Sequence, residues 1–362
     1  MESKTITNGI LKAVFILLGI GVLLWFIYQI QSLLVYLALS FVVTLIGRPI
    51  ILFLKQRLKL KNLLAVILTM ILIFGLFISL LLLFLPLIKQ QSQNLSLLNI
   101  ESLKNTLENL YTEIILYFSN SNLDIEKELN NSNFLSNFNF NFIPDFINGF
   151  ISALGSFSIG LFSIIFISFF LLKDSKLLEN GILTFVPDDK ISRFDMSLIK
   201  IKNLLSRYFI GLVLQIVVLF IIYSFVLLLF GIDNAIVIAF LCALINIIPY
   251  LGPLISAVLI LFLSMTSNLG QDFSTVILPT SIYVMIGFLI GQIIDNFLSQ
   301  PLIFSTSVKS HPLEIFLVIV IAGLLFGVVG MIAAVPSYTV IKVIAKEFLA
   351  ENKIVKQLTK NI

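Results

Sequence analysis

The feature that most constrains this chain is a succession of apolar runs long enough to cross a lipid bilayer. The first, Leu11 to Ile30, spans about 30 Å as a helix, which matches the hydrocarbon core. No small-residue cleavage site follows it and a second run starts at Leu33, so it reads as a retained helix rather than a signal peptide. Further runs extend from Leu33 to Leu54, Leu63 to Ile88, Phe146 to Leu172, Tyr208 to Phe230, Ala235 to Met265, Thr275 to Leu298 and Pro312 to Ile344. Composition agrees, since 59% of residues are hydrophobic and 12% charged, about half the charge of a soluble domain. The expected fold is an all-α integral membrane protein with about six full or near-full transmembrane helices, two broken helical hairpins and a small helical extracytoplasmic insertion.

Two of the runs are not simple spans. Ala235 to Met265 is interrupted by Pro249, Tyr250, Gly252 and Pro253, leaving halves too short to cross but suited to a hairpin. Pro312 to Ile344 is too long for one crossing and is broken around Gly323, Gly327 and Gly330, with Pro336 beyond them. Basic residues give the orientation, because Lys and Arg in short loops stay on the cytoplasmic side. Lys4 and Lys12 precede the first span; Arg48, Lys55, Arg57, Lys59 and Lys61 follow the second; Lys173 to Arg207 is basic, and so is the tail from Lys342. The stretch from Lys89 to Asp145 holds three Lys against seven acids. Both termini are therefore expected inside, with the two hairpins entering and leaving on one side.

The expected divisions are residues 1–88 (three helices), 89–144 (an extracytoplasmic amphipathic insertion), 145–172 (a fourth helix), 173–207 (a cytoplasmic elbow linker), 208–346 (a core with both hairpins) and 347–362 (a basic cytoplasmic tail). In the insertion Ile100, Leu103, Leu107, Leu110, Ile114 and Phe118 recur at helical spacing. That helix is either a cap on the membrane or a neighbouring subunit, or a solvated spacer. Ile191 to Leu205 reads as the elbow helix feeding the fifth span.

Between Arg207 and Lys309 there is no Lys or Arg, and three acids interrupt the apolar sequence. Asp233 reads as a helix N-cap, and Asp272 falls in an outer loop. Asp295 differs, because Gln292, Asp295, Asn296 and Ser299 line one helical face. An ionised Asp at mid-span costs roughly 2.5 to 3.5 kcal/mol, so such a stripe faces a neighbouring helix or a water-filled path unless it reaches headgroup water. The break at Asn246 to Pro253 has two readings as well: half-helix ends presented to a solute or ion, or a tight turn at the membrane surface. Gly287-x-x-x-Gly291 and Gly323-x-x-x-Gly327 permit close helix packing. Pro312 with Glu314 marks a helix start, with Glu314 near its positive end.

Several blocks occur in register: Asn246 to Pro253 (N-I-I-P-Y-L-G-P), Asp295-Asn296-x-Leu298-x-x-Pro301, His311-Pro312-Leu313, Gly323-Leu-Leu-Phe-Gly327-x-x-Gly330 and Ala334-Val335-Pro336. Together they resemble the ordered signature of the autoinducer-2 exporter family. Phe170-Leu-Leu-Lys-Asp174, Pro187, Tyr208-x-x-Gly211 and Arg48-Pro49 extend the resemblance over nearly the whole chain, while Ser337 stands where the family more often has Leu. The resemblance implies a multi-spanning transport protein of the bacterial inner membrane, with cytoplasmic termini and a homo-oligomeric assembly. It implies export of a quorum-sensing furanone and, in some members, sodium/proton exchange.

The expected partners are membrane lipid, a small-molecule or ion substrate and further copies of the chain, and no nucleic acid. No cofactor is expected, since one Cys and one His exclude a metal site built mainly from those ligands. A nucleotide-driven pump is excluded by the lack of a G-x-x-x-x-G-K-[ST] loop. Intramembrane proteolysis lacks its constellations, because the lone His311 is followed by Pro312 and no H-E-x-x-H is present. Transport by alternating access around the two hairpins, with Asp295 as coupling carboxylate, is the leading reading. Ion exchange and a non-transporting scaffold are the alternatives.

Overall fold

The computed structural model describes residues 2–82, 112, 160–184, 186–268, 271–300, 310–349 and 352–359. The insertion expected at residues 89–144, save Thr112, and the motif residue Pro301 lie outside the described residues. The described residues are helical and contain no strand. The helices are α1 (Glu2–Gln29), α2 (Gln31–Arg57), α3 (Asn62–Leu82), α4 (Gly160–Lys173), α5 (Ser175–Leu183), α6 (Ile191–Leu229), α7 (Ala235–Ile245), α8 (Leu251–Ser267), α9 (Leu278–Ile294), α10 (Pro312–Phe348) and α11 (Lys353–Leu358). Six described helical stretches are long and apolar enough to cross a membrane. Their large apolar side chains face outward, as with Phe297, Leu324 and Phe326, an arrangement water penalises and lipid favours. The chain is an all-α integral membrane protein.

It divides into two compact units, residues 1–70 with 155–178 and residues 71–154 with 179–362. In the first, α2 and α4 are joined by polar contacts between small side chains. Ser40 Oγ donates to the Ile164 carbonyl at 3.2 Å, and Ser168 Oγ donates to the Ser40 carbonyl at 3.4 Å. Asn62 at the start of α3 donates to the Lys173 carbonyl at 3.3 Å.

The second unit is built around α6. The elbow and the fifth span expected as separate elements are one continuous helix of 39 residues. Its length is about 58 Å. Neither Pro nor any other breaker separates the two patterns, and buried Tyr208 sits at the expected junction, packed against α10. The core lies between α6, α7, α8 and α9, with Leu219, Tyr223 and Leu227 meeting Ala239, Cys242, Ala243, Leu259, Val284 and Phe288. Small residues allow this closeness. A Cβ on Gly291 would stand 2.9 Å from the Tyr223 ring, and Gly287 rests on Val226 in the same way. Asp233 does not cap α7; the cap position is Asn234, in the left-handed conformation, while the Asp233 amide donates to Ser267 Oγ at 2.8 Å. Asp272 caps the π turn Phe273–Ile277 that opens α9. Hydrogen bonds from the Thr275 hydroxyl and amide and from Ser274 hold its carboxyl below the usual carboxylate range.

Both breaks make hairpins. α7 has 11 residues, about 16 Å against the ~30 Å hydrocarbon core, and cannot cross alone. It ends at Asn246, and the chain reverses through Ile247 to Tyr250 into α8, with Gly252 N–H bonding the Ile248 carbonyl at 2.8 Å. In α10 the non-helical residue is Gly327 alone, at φ 63° and ψ −150°, a region open essentially to glycine. Gly323 and Gly330 are helical; they let the arms touch, Gly323 against Met331 and Gly330 against the Ala322 carbonyl. Pro336, expected among the breaks, lies inside the second arm, which continues to Phe348.

An ion pair closes the second hairpin at its open end. Lys342 Nζ lies 3.0 Å from Glu314 Oε2 and donates to Ser310 Oγ at 2.8 Å, while the Tyr338 hydroxyl donates to Glu314 at 3.0 Å. Glu314 thus does more than cap a helix, and the cap itself is His311, whose Nδ1 accepts from the Leu313 amide at 3.2 Å. Lys342, expected at the head of the tail, is 4% exposed. Glu314→Gln should therefore lower the unfolding temperature in detergent, with a stability loss on the order of 3 kcal/mol at most, because it strands a buried ammonium. Adding Lys342→Met should restore most of the loss, and a double mutant no more stable than Glu314→Gln would show that the pair does not hold the arms.

Candidate functional site

The second unit buries a connected set of polar side chains among α6, the first hairpin and α9. Asp295 is 1% exposed. It begins a π turn, Asp295–Ser299, in which the Gln300 amide bonds the Asp295 carbonyl; such turns widen a helix locally and concentrate at functional sites. Its Oδ2 accepts from Gln215 Nε2 at 2.8 Å and from Gln300 Nε2 at 3.1 Å. Ser299 stands beside the same carboxylate, yet Oδ1 has no hydrogen-bond partner. Among the described residues no cation pairs with Asp295. Its side chain is thus covered by the protein rather than open to the surroundings.

One turn before it, Gln292 continues the network. Its Nε2 donates to the Tyr223 hydroxyl at 2.7 Å and to Asn246 Oδ1 at 2.9 Å. Asn246 Nδ2 donates to the Cys242 carbonyl at 2.8 Å and to Ser256 Oγ at 3.2 Å, and Ser256 Oγ donates back to the Cys242 carbonyl at 3.0 Å. Asn246 therefore ties the end of α7 to the first turns of α8 and both to α9. Gln292 Oε1, like Asp295 Oδ1, is buried and unpartnered, at a cost of about 1 to 3 kcal/mol for such an acceptor.

The sequence-derived candidates are thus split. Asp295, Gln292 and Asn246 come together. Asn296 is exposed at the flank of the stripe and accepts at 2.8 Å from the same Gln300 amide that reaches Asp295. Tyr250, the last turn residue, has φ 66° and sets its ring edge-on to Phe316 with centroids 5.1 Å apart, so the tip of the first hairpin touches the first arm of the second. Pro249, Gly252 and Pro253 shape that tip. His311, Pro312 and Glu314 belong to the base of the second hairpin. Gln215, Tyr223, Ser256 and Gln300 were not singled out in the sequence. Gln215, Leu219, Tyr223 and Leu227 form a buried stripe at four-residue spacing, so polar residues on a buried face carried the available signal.

The arrangement places one carboxylate without a cationic partner among the described residues beside the first hairpin. It offers no nucleophile and base in contact, and no group of three or more His, Cys, Asp or Glu side chains gathers among the described residues. Amide, hydroxyl and carboxylate groups in a dry core suit solute or ion recognition.

Comparison with known proteins agrees. A family described as "AI-2E family transporter" matches residues 14–350. Two proteins of Bacillus subtilis (strain 168) are similar to parts of the chain. "Putative transport protein YrrI" is 30% identical over 184 residues, 51% of this chain and 50% of that protein. "Putative transport protein YueF" is 31% identical over 112 residues, 31% of this chain and 28% of that protein. The matched part is thus half or less of each relative's length. With the family match running through all but the ends, the chain belongs to the AI-2E transporter family and is a multi-pass membrane protein of a transport family.

Proposed function

We propose that the protein exports a small solute of the autoinducer-2 type across the bacterial cytoplasmic membrane, coupled to an ion gradient through Asp295. The observation that carries this reading is a buried carboxylate with one free oxygen and no cationic partner among the described residues, joined through Gln292 and Asn246 to the first hairpin. A charge so placed is stable only when a proton or cation accompanies it, which makes its occupancy a natural lever on hairpin position. Alternating access then consists of the hairpins shifting against α6 and α9, with Tyr250 and Phe316 transmitting motion from one hairpin to the other. In this proposal both termini are cytoplasmic, as the flanking Lys and Arg require. Several copies of the chain assemble, since the apolar surface of α1 is unburied within one chain and needs lipid or another copy to cover it.

Sodium/proton exchange is the second reading, favoured by the same missing counter-charge. Purified protein in liposomes distinguishes the two. Under an imposed sodium or proton gradient, furanone accumulation above empty liposomes is expected for the exporter. Sodium-driven pH change without furanone movement would select the exchanger, and silence in both would refute ion-coupled transport.

A further inference from the structure

We propose that the end of the first unit where α2, α3 and α4 meet is a binding site for one acidic phospholipid. Arg57, Lys59 and Lys61 hold its phosphate, and an acyl chain lies along Phe170, Phe166 and Phe162. The site is separate from Asp295 and independent of the transport reading. The three helix ends are tied together: Lys55 Nζ, in the last turn of α2, donates to Asn62 Oδ1 at 3.2 Å, and Asn62 Nδ2, opening α3, donates to the carbonyl of Lys173, which ends α4. Between α2 and α3 the chain turns through Leu58 to Lys61. The Leu60 amide bonds the Leu54 carbonyl at 3.3 Å, and Lys59 is left-handed at φ 52°. Glycine adopts that conformation without the cost a lysine bears, so the turn holds a positive charge at the expense of backbone comfort.

Charge and apolar surface together select the ligand. The turn R-L-K-L-K exposes Arg57, Lys59 and Lys61, and no Asp or Glu occurs between Glu2 and Glu101. Among the described residues no acid pairs with these three cations; Asp174 sits 3.6 Å from Lys173 instead. At a membrane surface each such cation strengthens the hold on anionic lipid by about fivefold. The neighbouring surface sets this end apart from the other basic flanks. Lys173 Nζ lies 6.0 and 5.7 Å from the ring centres of Phe169 and Phe170. From there Phe170, Phe166 and Phe162 continue along α4 as an exposed row, with successive centroids 4.9 and 6.2 Å apart. Their four-residue spacing carries the row about 12 Å along the helix. Cations at the turn and an aromatic row beside them match the head and tail of one phospholipid, whereas a free anion would use the cations alone.

The test follows thermal unfolding of the full chain in neutral detergent, titrated with phosphatidylglycerol, with phosphatidylcholine of the same acyl chains, or with inorganic phosphate. Saturable stabilisation by phosphatidylglycerol is expected, with little from the other two. The triple variant Arg57→Gln, Lys59→Gly and Lys61→Gln should bind phosphatidylglycerol on the order of a hundredfold more weakly. Lys59→Gly alone should bind it about fivefold more weakly and, because the turn is relieved, be at least as stable as the wild type in phosphatidylcholine. That single variant keeps the test decisive if the triple does not fold. A matched triple, Lys190→Gln, Lys353→Gln and Lys356→Gln, removes equal charge elsewhere and should keep wild-type affinity. Equal weakening by both triples, or wild-type affinity in Lys59→Gly, would overturn the site. Phosphate that stabilises as well as phosphatidylglycerol would overturn the lipid assignment, and unchanged lipid affinity in Phe166→Ala would overturn the seat for the acyl chain.

Discussion

Asp295→Asn is expected to abolish gradient-driven flux while leaving the chain at least as stable as the wild type. The substitution is nearly isosteric, and the Asn side-chain oxygen can still accept from Gln215 and Gln300 at the positions now 2.8 and 3.1 Å from Oδ2. The buried charge disappears, and with it the cost of holding an ionised carboxylate without a counter-charge in a protein interior. Function moves the other way, because a neutral amide neither exchanges a proton in the working range nor holds a cation. A fall of at least about tenfold in the coupled rate, about 1.4 kcal/mol in barrier, is the minimum expected. Asp295→Leu should differ, since it leaves the Gln215 and Gln300 donors orphaned at about 1 to 3 kcal/mol each. Liposome flux and unfolding temperatures on the same preparations check both. Wild-type flux from Asp295→Asn under every gradient would remove Asp295 from the mechanism.

The sequence disclosed what local chemistry decides. Pro249, Gly252 and Gly327 announce hairpins because proline and glycine act on the backbone where they stand, and both hairpins form there. The face holding Gln292 and Asp295 was legible because spacing within one helix is fixed. Their partners were not, since Gln215 meets Asp295 across 80 residues and Tyr223 meets Gln292 across 69, and no pattern within a helix encodes which neighbour packs on it. Asn296 sits at the edge of that face, exposed but sharing the Gln300 amide with Asp295, and nothing in D-N-F-L-S advertises the π turn that begins there. Lys342 was read with the tail because basic residues ordinarily flank spans; its pairing with Glu314 depends on the hairpin folding back, which joins residues 28 apart.

The largest effect on folding is expected at Gly252. A Cβ there would overlap the Ile245 carbonyl oxygen and crowd the Asn246 Cα, backbone atoms that no rotamer change can move aside. Even Gly252→Ala must therefore push α8 away from the end of α7. That displacement breaks the contact of Asn246 with Ser256 at 3.2 Å and strains the bond to Gln292 at 2.9 Å, so buried polar groups lose partners at about 1 to 3 kcal/mol each. Together with overpacking of about 1 to 3 kcal/mol, the loss is comparable to the whole stability margin of many domains, which is about 5 to 15 kcal/mol. Gly252→Val should leave little folded protein in the membrane fraction. Tyr250→Gly tests the same turn in the opposite direction. Its φ of 66° suits glycine better than tyrosine, so the turn itself should be relieved while the ring contact with Phe316 is lost. If Tyr250 only shapes the turn, the variant should be as stable as the wild type and transport at its rate. If the ring couples the hairpins, folded protein should accumulate normally and transport slowly. Abundant, folded and fully active Gly252→Val would show that the hairpin tip tolerates opening and that tight closure of α7 on α8 is not required.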